Sequence, residues 1–132
     1  MTKQEAFNKV WNVFVTQGLT PCQIGTHCMY YHKDAPPGMS SACAVGVLLP
    51  KETAKKMEQA DVGGITAWSR TLELDPETIP SAHREILQEL ISTLGTDFLS
   101  DLQLAHDDPP SPWCVELTLR NIAKAWNLSI PS

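Results

Sequence analysis

The chain has 132 residues, 42% of them hydrophobic and 19% charged, with 10 Lys and Arg against 15 Asp and Glu for a formal net charge of −5. A chain of this size buries roughly two-thirds of its unfolded surface, so a single globular domain over residues 1–132 is expected. The acidic balance argues against direct nucleic-acid binding, which needs clustered Lys and Arg, and no window approaches the ~18 apolar residues of a membrane span.

The first element is a helix over about residues 3–17. Thr2 and Glu5 stand in capping-box spacing, and Phe7, Val10, Trp11 and Phe14 repeat at helical intervals until Gly18 and Pro21 stop the run. Between Cys22 and Pro50 the helical period disappears. Two runs rich in β-formers, 27–32 and 43–49, flank a loop holding Pro36, Pro37 and Gly38, and they read as an antiparallel β-hairpin over about 26–49. Cys43–Leu49 also reads as the first turns of a short helix, because Gly46 weakens a strand. Residues 51–58 suggest a short exposed helix. The stretch 61–80, with Gly63, Gly64, Pro76 and Pro80, reads as a connector with at most a turn around Trp68.

Three further helices follow. Ser81 caps one over about 81–94, with Ile86, Leu87, Leu90, Ile91 and Leu94 as its stripe. Thr96 starts another over about 96–107, halted by Asp108, Pro109 and Pro110. Ser111 and Pro112 mark the start of the last, over about 112–127, where Val115, Leu119, Ile122 and Trp126 repeat. The expected fold is α+β but mainly helical, with four to five helices packed on a small antiparallel hairpin. Trp11, Trp68, Trp113 and Trp126 are expected in or near the core.

Chemistry concentrates in the thiols and histidines. Cys22, His27, Cys28, His32 and Cys43 are zinc-type ligands without the paired spacing of a finger, so no metal site is assigned and buried thiols are the better reading. The four cysteines are expected to be free, since the N-terminus lacks the pattern of a secretory signal. Cys43, His106 and Asp107 supply the thiolate, base and orienting carboxylate of a nucleophilic site, although His106 and Asp107 equally suit a helix end. Walker, dinucleotide-binding and H-E-x-x-H motifs are absent, and no cofactor is expected. Tyr30, Tyr31 and His32 carry apolar bodies with polar tips next to the Pro36–Gly38 loop, and they are the candidate binding residues. A packing role for one of the two tyrosines competes with that reading.

Three segments carry a resemblance: Cys28-x-Tyr30, then Cys43-Ala44-Val45-Gly46-Val47-Leu48-Leu49-Pro50, then Leu102-Gln103-x-x-His106-Asp107. In this order they resemble a family of small uncharacterised phage and prophage proteins, whose members often have Arg and Gly where this chain has Tyr31 and His32. The resemblance implies a phage or mobile-element setting in the host cytoplasm, and no reaction. The favoured function is that of a phage-type accessory protein that binds a host or defence-system (anti-defence) component without catalysis, away from membranes. The alternatives are a thiol-dependent enzyme using Cys43, His106 and Asp107, and a module that sequesters a small ligand or is stabilised by a metal.

Overall fold

A computed structural model describes residues 1–24, 27–104 and 112–131. Helix α1 (Lys3–Trp11) begins at a complete capping box: the Thr2 hydroxyl accepts the Glu5 N–H at 3.1 Å, and the Glu5 carboxylate accepts the Thr2 N–H at 2.9 Å. The Thr2 backbone N–H, followed by the Thr2 hydroxyl, holds the Glu5 carboxyl below the usual carboxylate range. The helix continues as a π-helical turn over Asn12–Thr16, closed by the Gln17 N–H on the Asn12 carbonyl at 2.9 Å. Gly18, at φ +71°, then reverses the chain.

The expected hairpin over 26–49 is not formed, and the fold is helical rather than α+β. Extended pairing among the described residues amounts to two-residue strands, β1 (Gln23–Ile24) with β2 (His27–Cys28), and a Thr20–Met39 bridge. Backbone hydrogen bonds lace 20–22 and 29–32 to 38–43: Thr20 to Gly38, Cys22 to Ala42, His32 to Ser41 and Cys43 to Met29. The run assigned to the second strand instead turns into a short helix, α2 (Ala44–Val47). Ala44, Val45, Leu48 and Leu49 are buried in pairs four residues apart, as one face of a helix requires, whereas Val47 is half-exposed.

Helix α3 (Lys51–Ala60) follows Pro50 and ends at Asp61 in the left-handed region, φ 53°. The stretch read as a connector contains a full helix, α4 (Ile65–Leu74), whose Ile65, Trp68 and Leu72 are buried. Gly64 and Pro76 bound this helix rather than preventing it. Trp68 is fully buried and its indole N–H has no partner among the described residues, a feature that costs on the order of 1–3 kcal/mol.

Helix α5 (Ser81–Leu94) starts at Pro80, with Ser81 as its first residue rather than its cap. Leu87, Leu90 and Leu94 face inward, while Ile86 is on the surface. Helix α6 (Thr96–Gln103) buries Phe98, Leu99 and Leu102, and helix α7 (Pro112–Ala125) contributes Val115, Leu119, Ile122 and Ala123 to the core. Trp126 stacks edge-on against Phe98 and donates its indole N–H to Asp101 at 2.8 Å. The C-terminal segment is fastened to α1 by a two-way bond between the Gln4 side chain and the Ser129 backbone, at 2.8 and 2.9 Å.

One apolar cluster joins all these helices, with Phe7, Phe14, Met57, Trp68, Phe98 and Leu119 fully buried. No helix among the described residues is long and apolar enough to cross a membrane.

Candidate functional site

The adjacent tyrosines have opposite placements. Tyr30 is 4% exposed and acts as a strut. Its N–H donates to the Glu58 carboxylate of α3 at 2.7 Å, and its phenol donates to the Gly63 carbonyl at 2.7 Å. The Gln103 amide of α6 donates to the same phenol at 3.1 Å, while its oxygen accepts the Ile65 N–H at 2.8 Å. The carbonyl of Tyr30 lies against Gly46, so close that a Cβ there would collide with it. Tyr30 therefore joins α2, α3, α4 and α6 from inside, and it is not available to a ligand as the sequence reading proposed.

Tyr31 and His32 are half-exposed. The Tyr31 ring lies under two ammonium groups from consecutive turns of α3, with Lys51 Nζ at 5.5 Å and Lys55 Nζ at 5.3 Å from its centroid. Such contacts contribute about 0.5–1 kcal/mol each at an exposed site, enough to fix the ring's position. Tyr31 forms a ridge between two surface clefts. A groove of about 430 Å³ on one side has Val13, Leu19, Val47 and Leu49 as its apolar lining, with Ser40, Ser41 and Lys51 adding polar groups. The π-helical end of α1 supplies Val13, and Gln17 just after it also lines the groove; π turns recur at functional sites. A second cleft of about 350 Å³ is lined by His32, Lys33, Lys55 and Glu58.

Sequence reasoning singled out Tyr31 and His32 and passed over Lys51 and Lys55, which the structure sets over the Tyr31 ring. The overlooked signal is electrostatic. Lysine at the first position of a helix opposes the helix dipole, and Pro50 offers no side-chain cap there.

The thiols are placed differently from the catalytic alternative. Cys43, at the start of α2, is 1% exposed, so a substrate does not reach its sulfur in this arrangement. His106 and Asp107 lie outside the described residues. Burial pushes the neighbouring Cys22 thiol up to about 11, with Cys43 and Glu58 adding to the rise. Cys22 and Cys43 are buried and Cys114 is half-buried. Among the described residues no group of three His, Cys, Asp or Glu side chains is gathered to hold a metal ion, and the side chains of His27 and Cys28 fall outside that description.

Compared with known proteins, the chain matches no family model, no curated protein and no solved structure.

Proposed function

We propose that the protein acts by binding another protein rather than by catalysis, and that the partner sits on the Tyr31 ridge and its adjoining groove. In the setting implied by the resemblance to small phage and prophage proteins, the partner is a host or defence-system component in the cytoplasm of the infected cell. The observation that carries the reading is the position of Tyr31: a half-exposed aromatic ring held by Lys51 and Lys55 between two open clefts. Aromatic side chains with polar tips supply much of the energy at protein interfaces, because they bury a large area while losing few rotamers. The buried Cys43 thiol favours this reading over a nucleophilic one.

The test compares tagged wild-type protein with Tyr31→Ala in lysate of the bacterial host, with Tm measured for both. A partner retained by the wild type and lost by a folded Tyr31→Ala supports the reading. An identical retained set removes Tyr31 from the interface and overturns it.

A further inference from the structure

Resting on the reading that this face binds a protein, we infer that its occupant is an acidic peptide segment, which seats an apolar side chain in the Tyr31 groove and sets its carboxylates on Lys51 and Lys55. Three local rules are broken together at this point. Lys51 occupies the first position of α3, where the dipole favours an anion, with Glu52 the acidic residue of that turn. Among the described residues no side chain caps that end of the helix. Lys51 and Lys55 are like charges four residues apart, and both are drawn over one ring. A single carboxylate group placed there relieves all three, and departures from local consistency of this kind concentrate at functional sites.

The charge distribution agrees. Residues 31–58 contain Lys33, Lys51, Lys55 and Lys56 against Asp34, Glu52 and Glu58, whereas the rest of the chain has six Lys and Arg against twelve Asp and Glu. Glu52 reaches Lys55 at 3.5 Å across an exposed pair, a contact too weak to neutralise it. Lys51 lines the groove with no carboxylate among the other lining residues, whereas in the far cleft Glu58, which accepts the Tyr30 N–H, stands beside Lys33 and Lys55. The groove on the Lys51 side is also the one with an apolar lining, from Val13, Leu19, Val47 and Leu49. Its volume suits one large aliphatic or aromatic side chain with some neighbouring backbone. A nucleic acid would meet repulsion from the acidic remainder of the surface.

The experiment titrates the full ¹⁵N-labelled chain with three octapeptides and a single-stranded oligonucleotide, following amide shifts and polarisation of a dye on each probe. One peptide has a leucine–phenylalanine pair flanked by glutamates, the second has the same pair flanked by lysines, and the third has a serine pair flanked by glutamates. The first should bind at least about tenfold tighter than the other two and weaken as salt rises from about 50 to about 300 mM. Its shifts should centre on Tyr31, Val47, Lys51 and Lys55. Lys51→Gln/Lys55→Gln, both at the surface, should weaken it by at least about tenfold with the fold unchanged. Equal binding of the serine peptide, tighter binding of the oligonucleotide, or indifference to the lysine changes would overturn the inference. Should no peptide bind while Tyr31→Ala still loses its lysate partner, the acidic occupant is wrong and the binding reading stands. Should lysate capture ignore Tyr31, the binding reading itself fails.

Discussion

The Gln103 amide donates to the Tyr30 phenol at 3.1 Å across 73 positions of sequence, and the phenol O–H in turn donates to the Gly63 carbonyl at 2.7 Å. This chain of bonds ties the 29–32 segment to α6 and to the turn between α3 and α4. Three segments distant in sequence, around Tyr30, Gly46 and Gln103, meet here, since Gly46 lies on the Tyr30 carbonyl and Gln103 on its phenol. Their shared role in this chain is a packing joint, which presents Tyr31 outward by fixing Tyr30 inward.

Tyr30→Phe tests the joint. It keeps the ring but leaves the Gly63 carbonyl and the Gln103 amide without the phenol. The expected cost is about 1–2 kcal/mol, read as a fall in Tm of roughly 4–8 °C for a chain of this size. Tyr31→Phe should leave Tm within about 1 °C, because the Tyr31 hydroxyl is not part of this bond chain. Equal effects of the two changes would show that the phenol of Tyr30 contributes nothing.

Gly46→Ala probes the same joint from the other side. The new Cβ overlaps the Tyr30 carbonyl oxygen and comes within 2.9 Å of the Ala42 Cβ, and backbone cannot swing aside as a long side chain can. A loss of about 3 kcal/mol or more is expected from this overpacking, measured as a lower urea midpoint at unchanged slope. A variant as stable as the wild type would mean that α2 does not lie on Tyr30 in solution.

How much of this was legible in the sequence differs from element to element. Helices α1, α5, α6 and α7 announce themselves because their apolar residues repeat over two or more turns and their ends carry Gly or Pro. Helix α4 was hidden by the same residue types. Gly63, Gly64, Pro76 and Pro80 suggested irregular chain, although Ile65, Trp68 and Leu72 keep helical spacing between them. In Cys43–Leu49 six apolar residues interrupted by Gly46 have no period of their own, and the helix they form sets Gly46 against Tyr30, which lies outside the run. The site was half-legible for a similar reason. Tyr31 and His32 stand out by residue type, whereas Lys51 and Lys55 look like ordinary solvated charges until α3 is folded onto the ring.

Lys51→Glu should make the protein more stable and a poorer binder. The change puts a carboxylate at the N-terminal end of α3 and turns the repulsion with Lys55 into an attraction in the favourable order, Glu before Lys. Loss of the Tyr31 contact at 5.5 Å offsets part of this gain. The net expectation is a gain of about 0.5–1 kcal/mol, a rise in Tm of roughly 2–4 °C, together with loss of the acidic peptide. A fall in Tm would show that the cation over Tyr31 outweighs the helix-end electrostatics.

The thiols make a prediction in pH and in labelling order. Cys22 has an ordinary thiol value of 9.0 that burial raises to about 11 in the folded chain. Between those values the unfolded chain releases a proton that the folded chain keeps. This contribution to stability is therefore fully present below pH 9 and is lost as pH rises toward 11, by roughly 2–3 kcal/mol. Urea unfolding at pH 8, 9, 10 and 11 should show that decline, and Cys22→Ala should flatten its own share of it. Among Cys22, Cys43 and Cys114, iodoacetamide at pH 8 should react first with the half-buried Cys114, and with Cys22 and Cys43 only once denaturant opens the core. Faster labelling of Cys43 than of Cys114 in the folded protein would contradict its burial and return a nucleophilic role to that thiol.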